Sequence, residues 1–381
     1  MTREERFVIL MARGEPSRIE LDETRSLLAV GLEWPVALRL AIAHEVAPLV
    51  HRNLRRLGVP GVPSEISDAF EANRRVVAAR NALLVREIAR VLRILGEAGL
   101  QAIPMKGVTL SETLYDDPSL RDCSDMDILV PREHAREALG LLRDTGYASE
   151  FTERFFEALL LRGNIEYTLA RQADGFQYLI DLHWGIGWGA RSDRQASAAL
   201  WHDAGPVTRR GVTAFAMTPE WEILTLAVHA ARHGWPLKWL ADVHDYCAER
   251  TVSWEKVREF AERFDWLPAL QQTLGACHIM LGTPAPPRLV PSMPARWTPT
   301  RLGVSAVETP QALLPLGVIG RRGDKLRYLV RQVLVPTLAE RRLLRLPSVL
   351  GALYYPIRPV RLGSKWGWRL LRSGGRVFRT S

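Results

Sequence analysis

The strongest constraint on this chain is a change of hydrophobic period partway along it. Residues 1 to about 98 carry apolar side chains at helical spacing, most clearly over 66–97, where Leu84, Ile88, Val91, Leu92 and Leu95 recur at three- and four-residue intervals. Gly96 and Gly99 close that stretch. Between about 100 and 185, short runs with β character at 101–105, 125–130, 165–171 and 176–183 alternate with two helical stretches. From about 219 the period is helical again, interrupted by a Pro-rich segment at 284–299 that reads as a linker or exposed loop. The pattern predicts an α+β chain: a small mixed or antiparallel sheet flanked by helices, with helical regions on either side. The expected divisions are 1–98, 99–218, 219–320 and 321–381, with no internal repeat.

Local signals sharpen the middle section. Pro131 opens a helix whose Ala135, Ala138, Leu139 and Leu142 share one face, and Gly146 stands where a left-handed cap would end it. The runs 165–171 and 176–183 flank Ala173-Asp174-Gly175, a turn signal that predicts an antiparallel hairpin.

A chain of 381 residues that is 47% hydrophobic can bury at least one large core, so a disordered chain is excluded. Cys123, Cys247 and Cys277 stand far apart without a Cys-x-x-Cys pair, which argues against a disulfide framework and fits a reducing cytoplasm. The apolar patch Phe7 to Ala12 is too brief for a signal-peptide core, and nowhere do about 18 uncharged apolar residues run together as a transmembrane segment needs. The formal charge of +9 is uneven. Residues 321–381 carry 15 Lys or Arg against Asp324 and Glu340, a net of +13, leaving the rest at −4. Such a basic tail points to an anionic partner, whether nucleic acid, phospholipid or a triphosphate, or else to a solvated segment packed back on the body.

In Arg121-Asp122-Cys123-Ser124-Asp125-Met126-Asp127-Ile128-Leu129-Val130, a strand places Asp125 and Asp127 on one face and Met126, Ile128 and Val130 on the other. Two carboxylates side by side repel unless a cation lies between them, which suits a Mg²⁺ site; an exposed strand end is the plainer alternative. A third carboxylate adds weight. In Leu179-Ile180-Asp181-Leu182-His183-Trp184, the alternation buries Ile180 and Leu182 and turns Asp181 and His183 to the opposite face. An acidic residue inside so apolar a strand calls for a partner or a metal.

Upstream, Ile103-Pro104-Met105-Lys106-Gly107-Val108-Thr109-Leu110 reads as a strand entering a helix through a glycine turn, which aims backbone N–H groups and Lys106 at an anion. The Gly-x-x-x-x-Gly-Lys-Ser/Thr spacing of a P-loop is absent.

The order strand, Lys-Gly turn, helix, Arg121, Asp-x-Asp strand, helix, hairpin, Asp181 resembles the DNA polymerase β nucleotidyltransferase core. The fuller string, from Met105-Lys106-Gly107 through Leu114-Tyr115-Asp116-Asp117-Pro118 to Asp125-Met126-Asp127, resembles the bacterial family of uncharacterised nucleotidyltransferases. Asp181-Leu182-His183-Trp184 and the helical His229 … His233-Gly234-Trp235 … Lys238-Trp239-Leu240-Ala241-Asp242 extend that resemblance, as does the Arg-Pro-rich stretch near Tyr354 to Arg361. The specific motifs span about 103–245. One departure is that Lys106-Gly107-Val108-Thr109 replaces the Gly-Ser pair that opens the first helix of the wider superfamily.

What the resemblance implies is concrete. Residues 99–218 would be the catalytic core and 219–320 a helical domain covering the nucleotide. Asp125, Asp127 and Asp181 would be catalytic and hold two Mg²⁺ or Mn²⁺ ions, Asp181 also receiving the acceptor's proton. Lys106, the Gly107 backbone and Thr109 would take over the grip on phosphate, with Arg121, Lys238, His233 and Asp242 as further nucleotide contacts. The substrate would be a nucleoside triphosphate, ATP by default, and the acceptor a small molecule or peptide.

Several features also have plainer readings. Lys238 and Asp242 are spaced to pair on a helix surface. His229 and His233 share that spacing, but residue 230 is Ala, so the glutamate of a zinc-protease motif is missing. Trp221, Trp235 and Trp239 are as readily core residues as base-stacking platforms. The rival to an enzyme is a non-catalytic module that keeps this fold and binds nucleotide or nucleic acid; it predicts a broken carboxylate triad, whereas all three are present.

Overall fold

The computed structural model describes residues 1–58, 61–150, 154–188, 191–284, 286, 288–290 and 315–364. Most of the Pro-rich segment at 284–299 and the last 17 residues of the basic tail lie outside them. The chain divides into two compact units, one of residues 1–149 and 165–320, the other of residues 150–164 and 321–381.

The first unit begins with helices α1 (Arg3–Met11), α2 (Arg18–Val30), α3 (Trp34–Ala43), α4 (Ala47–Leu57) and α5 (Ser64–Glu97). Thr2 and Ser17 cap α1 and α2 through reciprocal bonds with Glu5 and Glu20, which satisfy otherwise orphaned amides. The long α5 buries Phe70, Val77, Leu84, Ile88, Val91 and Leu95 along one stripe, as its helical period predicts.

The sheet region follows as β1 (Ile103–Met105), α6 (Gly107–Thr113), β2 (Met126–Leu129), a 3₁₀ turn and α7 (Ala135–Asp144). After α8 (Arg154–Gly163) of the second unit come β3 (Glu166–Ala173), β4 (Phe176–His183), α9 (Arg191–Asp203), β5 (Gly205–Arg209) and β6 (Val212–Ala216). The four-stranded sheet runs β1-β2-β4-β3, with β2 and β4 parallel and the outer pairs antiparallel. The fold class is thus α+β with a small mixed sheet. The Asp174-Gly175 hairpin forms as expected, with both residues at positive φ.

Two differences from the sequence reading stand out. A second hairpin, β5–β6, turns at Arg210-Gly211, again both at positive φ, and joins the first unit through the Phe215 amide on the Ala102 carbonyl at 2.9 Å. Asp125 precedes β2 instead of opening it, so strict alternation governs Met126 to Leu129 only.

Helices α10 (Pro219–Arg232), α11 (Leu237–Glu249), α12 (Trp254–Arg263) and α13 (Leu267–Leu281) pack around Trp221, Trp266 and Leu274. The second unit adds α14 (Arg322–Leu334), α15 (Leu338–Leu343), a 3₁₀ turn at Ser348–Leu353 and a helix over 354–364. Among the described residues no helix is long and apolar enough to cross a membrane.

Candidate active site

The parallel pairing of β2 with β4 sets Asp127 directly opposite Asp181. Adjacent strands lie about 4.8 Å apart and register partners face the same side, so the two carboxylates are neighbours. His183, two residues on, points the same way. One ligand atom from each of Asp127, Asp181 and His183 can be chosen so that all three lie within 4.8 Å of one another. Asp125 is not in that group, although the charges of Asp127 and Asp181 reach it.

Hydrogen bonds pin these groups. His183 Nε2 lies 2.8 Å from Asp127 Oδ1 and its Nδ1 lies 3.1 Å from Glu166 Oε2. Burial and Lys106 oppose the imidazolium, yet the two flanking carboxylates outweigh them and raise the His183 pKa. Arg232 braces Glu166 on its other oxygen. Thr168, the register partner of Asp181, donates its hydroxyl to Asp181 Oδ1.

Lys106 enters from the strand–helix turn. Its φ of 40° and that of Gly107 at 38° lie in the left-handed region, which bends the chain sharply into α6. Lys106 Nζ sits 3.0 Å from Asp127 Oδ1 and 3.1 Å from His229 Nδ1, with only 7% of the side chain exposed. Gly107 backs on to the carboxylates: a Cβ there would lie 3.3 Å from the Asp125 carbonyl oxygen and 3.6 Å from Asp127 Oδ2. Thr109, in the first turn of α6, is buried.

The electrostatics separate the three aspartates. Burial, then the charges of Asp127 and Asp181, push Asp125 up to about 6 despite Lys106 and Lys238 nearby. Burial works the same way on Asp127, but Lys106 and His183 prevail and hold it below the usual carboxylate range. Asp181 is raised, chiefly by burial, against the hydrogen bond from Thr168. Two carboxylates at such close quarters, with Asp125 near enough to feel their charge, form the acidic cluster that a divalent cation relieves.

The remaining expected residues are distributed around this centre. Arg121 is buried, with its guanidinium bonded to both oxygens of Asp242 at 2.8–3.1 Å, and Tyr115 adds its hydroxyl to Asp242 at 3.2 Å. Lys238 pairs with Glu45 and donates to the Asp122 carbonyl at 3.2 Å. The surface pair of Lys238 with Asp242 therefore gives way, because Arg121 offers the buried carboxylate a two-point fit that a lysine lacks. His233 packs at an angle against His229 and Trp239, with ring centroids 4.6 and 4.7 Å away. Burial, Arg232 and Lys106 depress His233 to about 4. Trp221 is core, fully buried against Phe260, while Trp235 and Trp239 are half-buried.

Sequence reasoning assigned no role to Glu166, Thr168, His183, Arg232 or His229. The signal for the first three was present: a hairpin turning at Asp174-Gly175 pairs Thr168 with Asp181 and Glu166 with His183. Asn81 was also missed; from α5 it donates to the Arg121 carbonyl at 2.7 Å and to that of Pro118, fixing the loop that leads into Asp125.

Comparison with known proteins adds a family. The model of the family described as "Uncharacterised nucleotidyltransferase" matches residues 31–282, which include every site residue named above. Among solved structures, the chain is similar to an antigenic nucleotidyltransferase-like protein from Paracoccidioides brasiliensis. That likeness is at 15% identity and a TM-score of 0.31, covering 54% of this chain and 91% of that one. No curated protein matches the chain.

Proposed function

This chain belongs to the uncharacterised nucleotidyltransferase family, and on that premise we propose that it moves a nucleoside monophosphate from a nucleoside triphosphate to a hydroxyl acceptor, releasing pyrophosphate. ATP is the default donor and a small molecule or peptide the acceptor. The observation that carries the reading is the register of Asp127 against Asp181, with His183 closing the cluster.

The donor set suits a divalent cation: the carboxylates of Asp127 and Asp181 are neighbours, and Asp125 is close enough for their charges to raise its pKa. Asp127 and Asp181 would hold Mg²⁺ or Mn²⁺ with Asp125 alongside. When bound, the metal supplies a Lewis acid at the reacting phosphate and offsets charge on the departing pyrophosphate.

The chain's own groups provide the positioning. Glu166 and His183 fix the Asp127 carboxylate through two hydrogen bonds in series. Asp181, held by Thr168, takes the proton from the acceptor hydroxyl. Lys106, the Gly107 backbone, Thr109 and Lys238 contact the triphosphate, and His233 lies against the nucleotide. Arg121 and Asp242 tie the loop that carries Asp125 to α11, which keeps Lys238 close to the carboxylates.

Incubation with α-labelled nucleoside triphosphates, Mg²⁺ and candidate acceptors tests the reading. Asp127→Asn and Asp181→Asn should each lower label transfer by at least about a thousandfold. Transfer that persists in both variants would remove the mechanism.

A further inference from the structure

The second unit encloses a polar network beside its buried aromatic residues. Glu340 is fully buried and accepts from Arg358 Nη1 at 3.1 Å and from Arg361, while Arg358 donates on to the Gln332 carbonyl. The Tyr354 hydroxyl bridges Leu344 and Leu346 at 2.8 Å, and its ring packs on Phe156. Several large aliphatic side chains of the unit are exposed.

On α14, Leu326, Leu329, Val330, Val333 and Leu334 are 62%, 38%, 46%, 44% and 47% exposed. Their spacing of i, i+3, i+4, i+7 and i+8 places them within one arc of about 140°. This is the apolar stripe of an amphipathic helix, facing outward. Lys325 and Arg327 flank the arc, while Asp324 lies on the opposite side and is buried. Elsewhere in the unit Val349 and Val360 are also exposed, at 89% and 73%.

We propose that this unit docks on an anionic phospholipid surface, with the α14 stripe in the acyl boundary and the surrounding Lys and Arg residues at the headgroups. Charge chooses this occupant: residues 321–381 carry a net of +13, which an anionic bilayer complements and a neutral partner does not. The aliphatic stripe then separates lipid from nucleic acid, since a phosphate backbone would engage the cations but leave five Leu and Val side chains in water. The 13-residue α14 spans roughly 20 Å at 1.5 Å per residue, which suits a helix lying in the interface and is too short to cross it. This inference stands on the second unit alone and is independent of the nucleotidyl-transfer reading.

Co-sedimentation of the full chain with vesicles tests it, using phosphatidylcholine alone and phosphatidylcholine mixed with phosphatidylglycerol. The chain should pellet with the anionic vesicles only, and raising salt to about 1 M should weaken that binding. Leu329→Glu combined with Val333→Glu should lower vesicle affinity at least about tenfold while leaving the melting temperature unchanged, because both side chains already face solvent. Arg322→Gln and Arg345→Gln should each cost about fivefold. Equal binding to both vesicle types, no binding to either, or undiminished binding by the Leu329/Val333 variant would overturn the proposal. So would a concentration-dependent dimer that the same pair abolishes, which would assign the stripe to a second copy of the chain.

Discussion

Two buried residues outside the carboxylate cluster decide how firmly it is held. Arg121 and Asp242 form a two-point ion pair with both side chains almost fully enclosed. Removing one partner strands a buried charge, so Asp242→Asn should destabilise the fold by about 3–5 kcal/mol in urea denaturation. Asp245, one turn further along α11, accepts the Gly14 amide at 2.9 Å, but burial still pushes its carboxyl up to about 7. Between about pH 4 and pH 7 the folded chain keeps that proton while an unfolded aspartate has lost it. This contribution is therefore complete below about pH 4 and is lost as pH rises through about 7, amounting to roughly 4 kcal/mol. Asp245→Asn should flatten that part of the stability–pH curve; an unaltered slope would contradict the assignment. At this scale the sequence was legible where alternation applies, since Asp127, Ile128, Asp181 and Leu182 take the faces that a period of two dictates. The pairing of Arg121 with Asp242 was not, because two residues 121 positions apart leave no local trace of their contact.

The elements show the same division. The β3–β4 hairpin and α5 could be read directly, the first from Asp174-Gly175 and the second from its apolar stripe. The parallel join of β2 to β4 could not, because its register comes from packing between strands separated by α7, α8 and β3. Yet that join is what brings Asp127 and Asp181 together. The β5–β6 hairpin turns at Arg210-Gly211, which is not one of the Asn-Gly or Asp-Gly pairs that mark such turns, and β5 buries none of its side chains, so it went unread. The β1–α6 turn makes the sharpest prediction for an element. Gly107→Ala forces an L side chain into the left-handed region and toward the Asp125 carbonyl, and should cost about 1–2 kcal/mol of stability. It should also weaken nucleotide binding in calorimetry, since the same turn positions Lys106. Retained affinity with lowered stability would confine the turn to a structural role.

Over the whole molecule, the sequence separates a mildly acidic body from a strongly basic end, and the structure gives that end its own compact unit together with residues 150–164. Charge was legible at this scale; the outward aliphatic face was not, because a helical stripe is read by default as facing a core. The central claim concerns the body: sheet register brings carboxylates from separate strands close enough to share a divalent cation. Titration of the full chain with Mn²⁺, followed by electron paramagnetic resonance, tests this most directly. The account predicts saturable binding that Asp127→Asn and Asp181→Asn each weaken by at least about tenfold. Mn²⁺ binding of undiminished affinity in both variants would contradict it.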